Sequence, residues 1–191
     1  MTHITPQQFA AAFLQAASAA ETEIIARWDG PLRDYTSLMF TTVFPAIAPH
    51  LGVECYSGDY FLLDCIYYAE RDIEHFSPNS YYAKYLSVAL EHENNIAGTA
   101  VEMNKLQLFN TPLKVLITYA HLPSERALFL ERYAKIVRAA DVFGDFATFR
   151  RQLVIFGSSR EAAIDWHFFV YEESGFQEIQ VAYALRSLGA N

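Results

Sequence analysis

Apolar and polar residues along this chain fall into helical spacing first and strand-like runs afterwards. TPQQFAAAFLQAASAAETEIIARW is rich in alanine, with Phe9, Phe13, Ile24 and Ile25 as apolar anchors, and predicts a helix broken by Asp29-Gly30-Pro31. A second helix is predicted across LRDYTSLMFTTVFPAIAPH, disturbed by Pro45 and Pro49. Beyond it, β-branched and aromatic residues crowd into short segments. GVECYSG, DYFLLDCIYYAE and YYAKYLSVALEHE read as three strands, with AERDIEHFSPNS as a polar turn. The short polar joints between them favour antiparallel pairing.

Thr99-Ala-Val-Glu102 fits a capping box, which predicts a helix over TAVEMNKLQLF, ended by Pro112. PLKVLITYA is continuously apolar, the pattern of a strand buried on both faces. SERALFLERYAKIVRAAD predicts another helix, and FRRQLVIFG with AAIDWHFFVYEE a hairpin around GSSRE. Ser174-Gly-Phe-Gln177 reads as a second capping box, opening a C-terminal helix that ends at Gly189. The expected fold is therefore α/β: a mixed central β-sheet flanked by helices, with an α-β-β-β-α-β core and a C-terminal α-β-β-α extension. The length of 191 residues suits one domain, 1–191, with its core at about 20–120 and an embellishment at about 121–191.

Composition sharpens this picture. At 52% hydrophobic and 19% charged residues the chain can fill a packed core, which excludes disorder. MTHITPQQF lacks a basic segment followed by an apolar one, and no apolar run approaches the length of a membrane span, so a soluble, cytoplasmic protein with no membrane partner is expected. Cys55 and Cys65 show neither C-x-x-C nor zinc spacing, and Cys65, inside FLLDCIYY, reads as a small core residue. No Walker or G-x-G-x-x-G pattern occurs, and no Ser-His-Asp or Cys-His arrangement stands out.

The net charge of −8 is unevenly spread. Residues 1–100 hold four basic groups (Arg27, Arg33, Arg71, Lys84) against twelve acidic ones, whereas residues 101–191 balance. A generic nucleic-acid binder carries a basic excess, so the charge counts against such a partner unless a bound metal inverts the local field. Basic residues at helical spacing (Arg132, Lys135, Arg138) and the pair Arg150-Arg151 could form a phosphate track. Their acidic neighbours Glu125, Glu131 and Asp141 favour an ordinary solvated face.

The candidate chemistry lies in LSVALEHENN. On a regular strand Glu91 and Glu93 share one face, about 6.6 Å apart, and His92 faces the other way. At an effective dielectric near 20 the two charges repel by roughly 2.5 kcal/mol, which in a buried sheet calls for a proton, a cation or a metal ion. Asp64 is the single charge in the middle of DYFLLDCIYYAE, on the face of Leu62 and Ile66. If the two strands are neighbours, Asp64, Glu91 and Glu93 can converge into the oxygen-only shell that Mg²⁺ or Mn²⁺ prefers, with Lys105 in reach from the next helix. The remaining histidines (His3, His50, His75, His121, His167) are scattered and read as structural or exposed.

The order α–β–β–β–α–β, with an Asp in the second strand and Glu-x-Glu ending the third, resembles the PD-(D/E)xK nuclease-like superfamily over roughly residues 20–120. The resemblance implies a metal-dependent phosphodiester-cleaving site in which Asp64 and Glu91 match the metal-binding acids. Glu93 stands where most members carry lysine, and Lys105 corresponds to a lysine supplied from the following helix. Glu23 is a further candidate acid. By this reading the metal polarises the phosphate and activates water, Glu93 accepts a proton or holds a second metal, and Lys105 offsets charge on phosphate oxygens.

Simpler readings stand beside it. Glu91 and Glu93 can be solvated acids at a strand exit, Asp64 the partner of an arginine or the cap of a turn, and Lys105 an exposed helix lysine. The alternative function keeps the fold without catalysis: a protein-interaction or dimerisation module, with the tyrosines Tyr67, Tyr68, Tyr81, Tyr82 and Tyr85 packed in a core or a homodimer surface. An acidic mimic that binds a basic partner is a third option.

Overall fold

The computed structural model describes residues 3–77, 80–160 and 163–181. Helix α1 (Pro6–Ala19) opens on a capping box: Gln8 N donates to Thr5 Oγ1 at 3.2 Å, and Thr5 N donates to Gln8 Oε1 at 2.9 Å. The single long helix expected here is two. The amide of Ala20 bonds back to the carbonyls of Ala16 and Ala17, and α2 (Glu21–Trp28) restarts at a new angle. Helix α3 (Leu32–Leu38) continues through a π-helical turn, Met39–Val43, into α4 (Phe44–Leu51). The widened turn lies just ahead of Pro45, which lacks an N–H for the helical ladder. Gly52, at φ 64°, closes α4 in the left-handed conformation.

Among the described residues nine strands follow, interleaved with two α-helices and a short 3-10 helix at Glu70–Asp72: β1 (Glu54–Tyr60), β2 (Leu63–Tyr68), β3 (Ile73–Ser77), β4 (Ser80–Ala83), β5 (Val88–His92), α5 (Thr99–Gln107), β6 (Leu113–Tyr119), α6 (Pro123–Ala140), β7 (Arg151–Arg160), β8 (Ala163–Glu172) and β9 (Gly175–Ile179). The fold is α/β, with a seven-stranded mixed sheet in the order β1-β2-β5-β6-β7-β8-β9. β5, β6 and β7 run parallel, joined by the crossover helices α5 and α6; the other pairs are antiparallel. Helices lie on both faces. Tyr67, Leu90, Val115, Ile117 and Ile155 pack toward α1–α4, while Ile66, Ala89, Leu116, Val154 and Phe156 pack toward α5 and α6. β6 sits in mid-sheet and is buried on both sides, which explains its unbroken apolar run.

Three expectations need correction. The presumed turn at residues 69–80 contains β3, which forms a separate hairpin with β4, so the third predicted strand breaks at residues 84–87. A helix does begin at Thr99, but without a capping box: Thr99 Oγ1 donates to the carbonyl of Ile96 at 2.6 Å. The predicted helix from Ser174 is instead strand β9, paired antiparallel with β8; its continuation over residues 182–191 lies outside the described residues. Gly175, at φ 115°, makes the turn, and Phe176 stacks on Tyr171 with centroids 5.4 Å apart. The Gln177 side chain donates to the Ser174 hydroxyl, a contact that the S-x-x-Q spacing allows in a hairpin as well as in a helix. Cys55 and Cys65 are free thiols with their sulfurs 3.5 Å apart, and Cys65 is buried. No helix among the described residues is long and apolar enough to cross a membrane.

The β7–β8 hairpin offers a clean test of the packing. A Cβ on Gly157 would lie 2.8 Å from the Trp166 ring and 2.9 Å from the Tyr119 ring. Gly157→Ala is expected to cost about 1–3 kcal/mol through overpacking. The cost would appear as a lower urea midpoint with an unchanged slope; a wild-type midpoint would contradict this account of the contact.

Candidate functional site

The site grows out of one register. β2 and β5 pair with Cys65 opposite Leu90 and Ile66 opposite Ala89, so the next step sets Asp64 opposite Glu91. Both acids then face α5, on the side of Ile66 and Ala89, while Leu90 and His92 face α1–α4. Asp64 Oδ2 accepts a hydrogen bond from the backbone N of His92 at 2.8 Å. Lys105 reaches in from α5, with Nζ 2.8 Å from Glu91 Oε2 and 2.5 Å from Glu102 Oε2, and donates to the carbonyl of Leu62 at 2.8 Å. That carbonyl belongs to the tight β1–β2 turn, where Phe61 and Leu62 both hold positive φ.

Glu91 is 1% exposed, and its Oε1 is buried without a hydrogen-bond partner. Burial pushes its pKa up to about 9; the neighbouring charge of Asp64 adds to the shift and Lys105 works against it. Burial also raises Asp64, opposed by the His92 amide and by Lys105. For Lys105, burial favours the neutral amine, but bonds to Glu102 and Glu91 outweigh it and the net shift is upward. Crowding three carboxyl groups around one ammonium thus favours a protonated Glu91 near neutral pH.

Glu93 is placed differently. It lies one residue past β5, where its Oε1 accepts from Asn95 N at 2.7 Å and its own amide bonds to the Ile117 carbonyl. It shapes the loop into α5 and takes no part in the contacts joining Asp64, Glu91, Lys105 and Glu102. Among the described residues no group of three His, Cys, Asp or Glu side chains is placed to hold a metal ion. Glu23 is partly exposed on α2 and pairs with Arg27 at 3.4 Å.

Two groups take roles that the sequence pattern does not reveal. Glu102 fits a capping box in sequence, yet its i,i+3 spacing to Lys105 marks the helical ion pair that it forms. On the opposite face, His92 is buried and its pKa is driven down to about 3, so its ring is neutral. His92 Nε2 lies 2.6 Å from Tyr119 Oη, which in turn donates to Tyr35 Oη at 2.8 Å. Nothing in the sequence joins residues 35, 92 and 119.

Four basic residues of the second half, Lys105 among them, are engaged in ion pairs with carboxylates. Lys135 meets Glu131 at 2.8 Å, Arg151 meets Glu172 at 2.7 Å, and Arg150 pairs with Asp145. Arg132 lies over the Phe129 ring.

No family model matches this chain, and a search among curated proteins finds no match either.

The shift on Glu91 has a sign that can be measured. In the unfolded chain this group titrates near 4.5, in the fold near about 9. Below the lower value it is protonated in both states. Between the two, folding must hold a proton that the unfolded chain releases, so stability falls as pH rises and levels off above the upper value. Glu91→Gln, a neutral mimic, lacks this dependence. The wild type should lose stability relative to Glu91→Gln by roughly 1 kcal/mol per pH unit at most between pH 5 and 9, read from urea denaturation at each pH. Parallel curves would show that Glu91 is ionised throughout.

Proposed function

We propose that this chain is a divalent-metal-dependent phosphodiester-cleaving protein of the PD-(D/E)xK nuclease-like kind, with Asp64 and Glu91 as its metal acids. One observation carries the reading: two carboxylates stand opposite each other on adjacent strands of the main sheet, and a lysine from the following helix bonds one of them, Glu91. The donor set suits the ion. Both groups offer hard oxygen donors, and Glu91 Oε1 is a buried acceptor with nothing to accept. Mg²⁺ or Mn²⁺ held by Asp64 and Glu91 would polarise a phosphate oxygen and lower the pKa of bound water.

The chain's own residues have separate tasks. The His92 amide fixes the Asp64 carboxylate, so this donor is preorganised by the strand rather than by a flexible partner. To ligate a cation Glu91 would have to give up its proton, so binding would be stronger at higher pH. Lys105 can remain on Glu102 while its other bond turns to a phosphate oxygen, where it offsets developing charge. Glu93 holds the loop that follows.

A second reading rests on that same lysine. Lys105 already neutralises the cluster without a metal, and an inactive fold of this kind would serve as a protein-interaction or dimerisation module. Exposed Val142, Phe143 and Phe149, at 80%, 83% and 69%, provide apolar surface for it.

Titration with Mn²⁺ or Mg²⁺ separates the two. A metal at a hundred times its Kd stabilises by about 2.7 kcal/mol, so millimolar metal should raise the wild-type melting temperature by several degrees and leave Asp64→Asn unmoved. Metal-dependent cleavage of single- or double-stranded substrate, abolished in Glu91→Ala, is expected to accompany it. Neither shift nor cleavage in the wild type would leave the interaction module.

A further inference from the structure

On the opposite face of the sheet, at the end of β5 and β6, lies a pocket of about 150 Å³ lined by Trp28, Leu32, Tyr35, Asn94, Tyr119 and His121. Its walls are three rings in mutual edge-to-face contact. Trp28 and Tyr35 stand at 85°, Trp28 and Tyr119 at 87°, and Tyr35 and Tyr119 at 82°, with centroids 5.2–5.6 Å apart. Three near-perpendicular planes form the corner of a box. Tyr35, 4% exposed, closes the floor, so a flat ring entering the corner would stack on one of the partly exposed rings Trp28 and Tyr119 and meet the other edge-on. The corner is rigid, because the hydroxyls of Tyr35 and Tyr119 are tied to each other and to His92.

The rim is polar on one side and apolar on the other. Asn94 Nδ2 donates to Thr36 Oγ1 at 2.6 Å, which fixes the amide plane at the rim beside the rings. Leu32, 64% exposed, forms an apolar lip, and His121 is exposed across from it. The volume is on the scale of one planar ring.

The pocket adjoins the acid pair through a single residue. His92 gives its backbone N to Asp64 on one face, and its ring to the Tyr119 wall on the other. We propose that the pocket takes one unpaired nucleobase of a single-stranded nucleic acid whose backbone passes the Asp64–Glu91 end of β5. The proposal rests on the phosphodiester-cleaving reading and deepens it by naming the substrate as single-stranded. The net charge of −8 opposes any nucleic-acid backbone, so stacking on the aromatic walls and the bound metal would have to supply the attraction.

The test needs no catalysis. In EDTA, the full chain is titrated with a short mixed-sequence single-stranded oligonucleotide, with its duplex, and with free nucleosides. Tryptophan emission and the anisotropy of a labelled strand are both followed. The single strand should quench emission, and the quench should vanish in Trp28→Phe, which keeps Trp166. The duplex and the nucleosides should bind at least about tenfold more weakly than the single strand. Leu32→Glu, an exposed change that should leave the melting temperature in place, and Trp28→Ala should each weaken the single strand roughly 5- to 150-fold, the worth of one base stack. That pattern upholds the pocket even where no metal-dependent cleavage is found. Cleavage by a wild type whose strand binding ignores Leu32→Glu overturns the pocket and leaves the acid site standing. Equal binding of duplex, nucleosides as tight as the strand, or no binding at all overturns it as well.

Discussion

A carboxylate buried in mid-sheet with only one of its oxygens answered is the constraint around which this structure is arranged. Glu91 lies on β5, and its neighbour across the strand is another acid, Asp64. Left alone, the pair would be expelled or protonated. The fold answers from three directions. The amide of His92, the last residue of β5, donates to the Asp64 side chain. Lys105 comes from the first crossover helix and bonds Glu91, Glu102 and the turn carbonyl of Leu62 together. The β1–β2 turn accepts two positive-φ residues, neither of them glycine, to present that carbonyl. Strain in the turn, charge in the sheet and the placement of α5 are therefore one problem with one solution.

The parallel trio β5-β6-β7 explains why the two faces differ. Crossovers α5 and α6 both pack on the acid face, and the N-terminal helices cover the other. β5 is the strand at which direction changes: antiparallel to β2 on one side, parallel to β6 on the other. The carboxyl end of β5 supplies Glu91 to one face and His92 to the other, and both are buried.

Much of the architecture was legible because burial and pattern agree. The unbroken PLKVLITYA could only be a central strand, and Asp64 in FLLDCIYY and Glu91 in LEHE were conspicuous as charges in apolar runs. Legibility failed where one pattern serves two structures. S-x-x-Q and T-x-x-E occur in turns and first helical turns alike, so Ser174 suggested a helix in place of β9, and Glu102 passed for a cap when it is an ion-pair partner. Strict alternation put Glu93 with Glu91, but β5 ends at His92 and the backbone turns away into the α5 loop. The pocket of Trp28, Tyr35 and Tyr119 was beyond reach, since its rings come from three segments that only the tertiary fold joins.

The charge distribution sets the terms on which any nucleic acid could bind. Arg27, Arg150, Arg151, Lys105 and Lys135 are each paired with a carboxylate. Two sources of attraction remain that do not require lysine or arginine. One is a divalent ion, which turns an acidic cluster into a local positive centre. The other is base stacking on aromatic walls, which is indifferent to net charge. Both converge on the end of β5, where His92 bonds the acid with its backbone and the aromatic wall with its ring. Under the proposed function, the metal and the stacked base would together have to outweigh the repulsion between this acidic chain and a nucleic-acid backbone, single- or double-stranded.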